Sequence, residues 1–207
     1  PVAQLARMDK HSDEYGLLAN PYVNIEPIKG LVIRSQFGVN ARFRISDEFT
    51  PSFNIDTLEK SDYSKAYRKT DNWVDWNWTN TINWIKSFNH KHNLNVMAGY
   101  TMERFQEYWL EGSKERTPTN EENLHYVSAG TQNPQTAGVN AYSSLISYLG
   151  RVMYNYNDRY YLTASIRVDG SSKFMKDNQY ATFPAVSAAW RISEEPFMKK
   201  QDRKSVV

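Results

Sequence analysis

The chain has 207 residues, with 25 basic and 23 acidic side chains, a formal charge of +2 and no cysteine. This near balance of charge gives no reason to expect a nucleic-acid binder, whose basic residues normally cluster on one surface. The absence of cysteine excludes a disulfide scaffold and a thiolate metal site.

Aromatic residues make up 14% of the chain, yet mean hydropathy is only −0.70. No window approaches the roughly 18–20 apolar residues of a membrane helix. Such a composition suits a soluble β protein or a membrane barrel, whose alternating strands average out the hydropathy.

Alternation of apolar and polar residues dominates the chain and predicts β-strands in succession. A short strand, Tyr22–Ile28, turns at Lys29-Gly30 into a long strand, 31–45, with one apolar face and one arginine-bearing face. Strands in soluble domains are usually about 5–6 residues long, so this one is unusually long. Five more strands are predicted, at 73–88, 94–103, 142–156, 160–169 and 183–193.

The connections between these strands are alternately short and long. Those at 29–30, 89–93 and 157–159 are short, whereas those at 46–71, 111–141 and 170–181 are long. Transmembrane barrels combine short periplasmic turns with longer outer loops, and a soluble sandwich has no reason to keep this order. The pattern therefore favours about six to seven strands of an antiparallel transmembrane β-barrel.

Aromatic side chains concentrate near the ends of the predicted strands. Such rings favour the boundary between lipid and water, although ordinary core aromatics would give a similar count. Together with the long strands, they favour an interfacial girdle. The residues concerned are Trp73, Trp84, Phe88, Trp109, Tyr154, Tyr156, Tyr160 and Tyr161.

Two segments near the C-terminal end carry a family pattern. Residues 148–174 read YLGRVMYNYNDRYYLTASIRVDGSSKF, and residues 182–193 read TFPAVSAAWRIS, followed by EPFM at 195–198. Together they closely resemble the SusC/RagA family of TonB-dependent transporters of Bacteroidetes outer membranes. Its barrel carries a GR-x-x-Y-x-Y-x-x-x-Y hairpin, an R-x-DGSS-x-F strand end and an FPS-x-S-x-x-W strand. Ala185 replaces the usual serine of the last motif.

The resemblance implies active uptake of oligosaccharides or peptides at the cell outer membrane. It also implies a lipid bilayer around the barrel, a SusD-like lipoprotein that caps the pore, and the TonB complex as the source of energy. No plug domain is recognisable, and so few strands cannot close a barrel of this size. We therefore expect residues 1–201 to form part of the barrel. Residues 202–207 match what a sequencing adapter encodes and are expected to be non-biological.

If the apolar faces meet lipid, the polar faces point into the lumen. Charged residues in a membrane are expected to pair or to face water. On this face they could pack against the plug or contact substrate, and the connection 111–141 is the best candidate for substrate contact outside the sheet. The lumen-facing candidates are Arg34, Arg42, Arg44, Asp75, Asn77, Asn83, Arg151, Arg167, Asp169 and Arg191.

The sequence predicts no catalytic, cofactor or metal site. His90 and His92 lack a third ligand nearby, so a solvated turn is the simpler interpretation. The segment 169–172 (DGSS) lacks the surroundings of a catalytic serine or a phosphate loop, and we expect Asp169 to lie near Arg167. The carboxylate pair Glu194-Glu195 is expected to be solvated.

Two other classes of function stay open at this point. A soluble β-sandwich could use the same tryptophans and tyrosines to stack on sugars, as a carbohydrate-binding module. An enzyme built on an outer-membrane barrel could use acids and serines of the loops, although we expect no enzymatic activity.

Overall fold

The computed structural model describes residues 8–55 and 60–199. The stretch 202–207, for which a non-biological origin is expected, lies outside the described residues. Ten strands fill most of the described chain: β1 Asp9–Ala19, β2 Tyr22–Ile28, β3 Leu31–Thr50, β4 Phe53–Asn54, β5 Lys60–Ser61, β6 Lys65–Phe88, β7 His92–Glu115, β8 Gln132–Tyr156, β9 Tyr160–Ser171 and β10 Tyr180–Trp190.

Eight of the strands form one antiparallel sheet in the order β1-β3-β6-β7-β8-β9-β10, with β2 also paired to β3. β1 pairs with the second half of β3 from Asp9↔Phe49 to Ala19↔Val39, and β2 pairs with its first half. Within the described residues the sheet is open, because β1 and β10 are not paired with each other. β4 and β5 form a separate small hairpin.

Short turns join the strands at one end of each hairpin. Gly30 has φ +85, and Asn89-His90 and Asn157-Asp158 have φ between 51 and 54. Two consecutive residues with positive φ define the turn type that matches the twist of antiparallel strands, and Asn and Asp tolerate it best among non-glycine residues. The longer connections cover 51–64, 116–131 and 172–179. The predicted alternation of short and long connections is therefore confirmed.

Several strands extend further than alternation predicts. β3, β6, β7 and β8 have 20, 24, 24 and 25 residues, so the long connections begin later and end earlier than expected. The predicted strand 183–193 instead ends at Trp190. β1 is an additional strand, which alternation misses because Asp9–Glu14 is polar on both faces.

The chain forms two compact units, one within 1–19, 39–75 and 105–142 and the other within 20–38, 76–104 and 143–207. In the first unit, Ala41, Phe49 and Ala66 are the buried apolar residues among those described. In the second, Gly38, Ser147 and Glu195 are the buried residues among those described. Neither unit has the large apolar core of a soluble domain, and no sandwich is formed by the described strands.

Helices are short and lie in the connections or after the last strand. Four are single 3₁₀ turns, at Glu122–Leu124, Val127–Ala129, Lys176–Asn178 and Ile192–Glu194, and the α-helix α1 covers Pro196–Lys199. Among residues 8–55 and 60–199, no helix has the length and apolar character needed to cross a membrane.

Candidate functional site: the polar face of the sheet

In the first unit, one face of β3 and β6 carries a cluster of charged and aromatic side chains. The Arg44 guanidinium donates to Oδ2 of Asp71 at 3.1 and 3.3 Å, and Nζ of Lys69 lies 3.0 Å from Oδ1 of the same carboxylate. The guanidinium carbons of Arg42 and Arg44 lie 5.3 and 5.0 Å from the ring centre of Trp73. Strand alternation places Asp75 on this face too.

Asp71 is the most deeply placed charge of this cluster, with its side chain only 1% exposed. A buried carboxylate is costly unless it is paired and hydrogen-bonded, and the two cations supply that pairing. Arg42 has no ion-pair partner among the described residues and instead lies against Trp73, as guanidinium groups favour.

A second polar group in this unit surrounds Tyr67. Its hydroxyl donates a 2.8 Å hydrogen bond to Oε2 of Glu111. Burial and this bond raise the pKa of Tyr67 to about 12, so the hydroxyl stays protonated at neutral pH. Tyr67 and Glu111 line a polar cavity of about 150 Å³ together with Gly112, Ser113 and residues 135–137.

In the second unit, contacts between neighbouring strands define a continuous polar face. A Cβ added at Gly38 would lie 2.7 Å from Oδ1 of Asn77, so a side chain there would require that amide to shift. The hydroxyls of Thr79 and Thr101 are 3.4 Å apart, so these side chains of β6 and β7 lie on the same face of the sheet. On the next strand, the Arg151 guanidinium reaches the Met97 sulfur at 3.7 Å.

The same face continues onto β9. Nε of Arg167 donates to both carboxylate oxygens of Asp169, at 2.7 and 2.9 Å, and its terminal nitrogen donates to Oγ of Ser147 at 3.3 Å. The predicted proximity of Asp169 to Arg167 is thus confirmed. At the opposite edge, Arg34 donates to Oε1 of Gln36 at 2.8 and 3.2 Å and lies over the Tyr22 ring.

Nine of the ten sequence-predicted residues thus lie on a polar face, three in the first unit and six in the second. Arg191 is the exception. It follows the last residue of β10, is exposed, and donates through its backbone N–H to the carbonyl of Arg159 at 2.7 Å. The expectation that it belongs to a strand face is wrong, because the strand ends one residue earlier. The polar-face residues are Arg42, Arg44 and Asp75 in the first unit, and Arg34, Asn77, Asn83, Arg151, Arg167 and Asp169 in the second.

The opposite face of the second unit is apolar and exposed. Val152, Leu162, Ile166 and Val186 are 43%, 49%, 49% and 76% exposed, and the register places them on one face of β8–β10. Soluble monomers rarely expose a contiguous apolar surface of this kind.

An aromatic row borders this apolar face at the short-turn end. The rings of Phe88 and His92, His92 and Tyr156, Tyr156 and Tyr160, and Tyr160 and Trp190 have centroids 5.0, 5.0, 6.2 and 6.3 Å apart. These distances suit aromatic pairing, and the position is that of an interfacial girdle. His92 belongs to this row and bonds the Tyr154 hydroxyl at 2.6 Å, so the interpretation as a solvated turn residue is wrong for it.

One buried carboxylate at the short-turn end of the strands is not among the predicted site residues. Glu195, 8% exposed, accepts hydrogen bonds from the Tyr160 hydroxyl at 2.7 Å, the Trp190 indole at 3.2 Å and the Arg159 guanidinium at 3.3 Å. The expectation of a solvated Glu195 is therefore wrong. Its partners are up to 36 residues away in the sequence. The spacing of residues therefore could not predict this group.

No group of three or more potential metal ligands occurs within the described part of the chain. His125, in the connection 116–131, stacks on Phe49 with ring centres 3.7 Å apart and lies 3.1 Å from Asp9. This histidine therefore anchors the connection to the end of β3.

Comparison with known proteins gives consistent results. No family model matches the chain. It is 28% identical over 204 residues to the TonB-dependent receptor P26 of Formosa agariphila, covering 98% of the chain and 20% of that protein. It is 32% identical over 206 residues to the TonB-dependent receptor P39 of the same organism, covering 96% and 19%. Against the TonB-dependent receptor SusC of Bacteroides thetaiotaomicron it is 47% identical over 57 residues, 28% of the chain and 6% of SusC.

Among solved structures, a chain of the RagAB peptide transporter superposes with a TM-score of 0.85 at 21% identity, covering 94% of this chain and 21% of that one. The open antiparallel sheet is therefore a segment of a transmembrane β-barrel. The chain belongs to the SusC/RagA family of TonB-dependent receptors, and it spans about a fifth of the length of the relatives it matches.

Proposed function

We propose that the intact protein is an outer-membrane transporter that imports nutrient molecules with energy supplied through TonB. The observation that carries the proposal is the separation of the two sheet faces in the second unit. Arg151, Arg167 and Asp169 lie on one face, and the exposed apolar side chains border the aromatic row on the other. Lipid on one side of the sheet accounts for the apolar face, and an aqueous lumen on the other side accounts for the polar face.

The strand lengths support this orientation. A tilted strand crosses a bilayer with about 9–11 residues, and β6, β7 and β8 have 24, 24 and 25. The aromatic row lies at the short-turn end, so the surplus length belongs to the end with long connections. We assign the short turns to the periplasm and the long connections to the cell exterior, where 116–131 can meet substrate.

Buried polar atoms on the polar face support a filled lumen. Oδ1 of Asn83, Oδ1 of Asn95 and Nε of Arg151 are buried without a hydrogen-bond partner among the described residues. Such groups cost about 1–3 kcal/mol each when left unsatisfied. A plug domain packed against this part of the wall would supply the partners, with direct substrate contact as the alternative.

The family suggests oligosaccharides or peptides as cargo and a SusD-like surface lipoprotein as partner. One similar protein is the receptor SusC, and one similar structure is that of a peptide transporter. The relatives are named receptors, and we propose no catalytic step for this chain.

Uptake by cells tests the proposal. A strain lacking the intact gene should lose accumulation of a labelled oligosaccharide mixture or a labelled peptide mixture, and the restored gene should recover it. Inactivation of the TonB complex should abolish the recovered uptake. Equal uptake with and without the gene, for both mixtures, would contradict the proposed function.

A further inference from the structure

The hairpin of β9 and β10 matches the thickness of a bilayer. On the apolar face of β10, Tyr180 lies at one end and Trp190 at the other. The residues between them on that face carry no charge: Thr182, Pro184, Val186 and Ala188. A strand of 11 residues, with a rise of about 3.3 Å per residue and a tilt of about 40°, covers about 25 Å along the membrane normal, the height of a barrel's apolar band. Trp190 belongs to the aromatic row at the short-turn end, so Tyr180 marks the opposite boundary of the lipid.

The position of the Tyr180 ring agrees with this boundary. Tyr180 is opposite Gly170 in the register, and a Cβ added at Gly170 would lie 2.5 Å from the tyrosine ring. Ile166 and Val168 have the same alternation as Gly170, so the ring lies on the apolar side of the hairpin. It is 64% exposed. Tyrosine favours the level where lipid meets water, because its ring is apolar and its hydroxyl is polar.

The connection 172–179 leaves the wall at this boundary. The N–H of Ser172 donates to the carbonyl of Ser144 at 2.9 Å, and the N–H of Ser144 donates to Oγ of Ser172 at 2.8 Å. The N–H of Ser171 donates to the carbonyl of Gln179 at 2.9 Å and closes the base of the connection. So short a connection, held at its base, stays near the level of Tyr180.

The tip of this connection exposes two large apolar side chains next to each other. Phe174 is 62% exposed and Met175 is 84% exposed. Lys173 and Lys176 flank them, and Asp177 is the one acidic residue of the connection, which therefore carries a net positive charge. In water such an apolar pair is unfavourable. At a membrane surface the apolar pair enters the lipid and lysines reach the anionic headgroups.

We propose that the connection 172–179 anchors the barrel wall in the outer leaflet of the membrane. Phe174 and Met175 insert among the lipids, and Lys173 and Lys176 contact phosphate groups of the headgroups. The apolar face of β10 meets lipid in a transmembrane barrel, and Tyr180 joins that face to the connection, so lipid is the nearest apolar surface. This inference rests on the proposed placement in the outer membrane and gives 172–179 a role other than contact with substrate.

Fluorescence quenching in lipid nanodiscs, which leave both membrane surfaces accessible, tests the anchor. The intact receptor, with any other cysteine replaced, carries a bimane label on Met175→Cys. Ser128→Cys, at an exposed position of the connection 116–131, is the matched control, and Val186→Cys on the apolar face is the control for lipid contact. A nitroxide attached to the lipid near its headgroup should quench the label at position 175 several-fold more than the label at position 128. Iodide in the water should show the reverse order.

Lipid charge tests the two lysines. Quenching at position 175 by the lipid nitroxide should be stronger with phosphatidylglycerol than with phosphatidylcholine, because lysine is attracted to an anionic surface. Lys173→Gln combined with Lys176→Gln should remove this difference. Lys60→Gln, in the connection 51–64, is the control and should keep it.

The controls separate failure of the anchor from failure of the membrane placement. If position 186 reports lipid and position 175 behaves like position 128 with both quenchers, the inference is overturned alone. Absence of lipid quenching at position 186 would overturn the proposed membrane placement, and the anchor with it. No difference between the two lipids, or a difference that survives the loss of both lysines, would overturn their contact with the headgroups.

Discussion

The hydroxyl of Tyr160, the first residue of β9, donates a 2.7 Å hydrogen bond to Oε1 of Glu195, which follows β10. The Trp190 indole donates to the same oxygen, and Arg159 pairs with the other. The chain leaving β10 is thereby tied to the start of β9 at the short-turn end. Hydrogen bonds from Tyr160 and Trp190, helped by the charge of Arg159, lower the pKa of Glu195 below its ordinary value of 4.5.

Glu195→Gln should destabilise the intact receptor at neutral pH and have less effect in acid. A lowered folded-state pKa means that the ionised carboxylate stabilises the fold above its ordinary pKa, and that this contribution is lost as pH falls through the folded value. Melting temperatures of wild type and variant should therefore differ at pH 7, and the difference should shrink as the pH falls below the ordinary pKa of 4.5. Tyr160→Phe, which removes one donor, should show a smaller difference at pH 7. A constant difference between wild type and Glu195→Gln across this range would contradict the assignment.

Asp71→Asn should cost more stability than Asp47→Asn. Asp71 is 1% exposed and serves both Arg44 and Lys69, so we expect a loss of about 2 kcal/mol, as for hydrogen bonds to charged groups. Asp47 pairs with Arg68, whose side chain is 57% exposed, so its loss should cost under about 1 kcal/mol. Denaturant titration of the intact receptor compares the two. Equal losses would show that burial of Asp71 is energetically unimportant.

Arginine should be tolerated at Ser165 but not at its neighbour Ala164. The register places Ala164 beside Val152 on the apolar face and Ser165 beside Arg151 on the polar face. An arginine facing lipid near the midplane of the bilayer costs about 2–4 kcal/mol. The folded fraction in liposomes should therefore fall much more for Ala164→Arg than for Ser165→Arg, whose new side chain lies opposite Arg151 on the polar face. The reverse order would invert the assigned faces.

Gly30→Ala should destabilise the turn between β2 and β3. Gly30 has φ +85, and an added Cβ would overlap the backbone carbonyl of Ile85. The left-handed conformation alone costs about 1–2 kcal/mol for a residue with a side chain. Gly16→Ala is the matched control, because a Cβ there meets nothing within 4 Å. A shift of the unfolding midpoint for Gly30→Ala no larger than that for the control would disprove this role.

Period-2 alternation predicts the fold well where one face meets lipid. Tyr22–Ile28 has the predicted bounds, and nine of the ten residues predicted by counting alternate positions lie on a polar face. Alternation fails where both faces carry polar residues. The segment 65–72 of β6 has Lys65, Tyr67 and Lys69 on one face and Arg68 on the other, so the strand starts well before the apolar pattern does.

The site at Glu195 could not be predicted from sequence for a different reason. In the sequence, Glu195 is simply the second of two adjacent acidic residues. Its burial depends on contacts with Arg159, Tyr160 and Trp190, which belong to other parts of the fold.

Solvent access at two adjacent positions tests the central claim most directly. The 207 residues contain no cysteine, so Ser165→Cys and Ala164→Cys each add a unique thiol to this part of the receptor. In liposomes containing the receptor with its plug domain deleted, so that the lumenal face of the wall is open to water, a water-soluble maleimide should modify Ser165→Cys and leave Ala164→Cys unmodified until the lipid is removed. Equal modification of both thiols in the bilayer, or modification of Ala164→Cys alone, would contradict a barrel wall with a lumenal polar face and a lipid-facing apolar face.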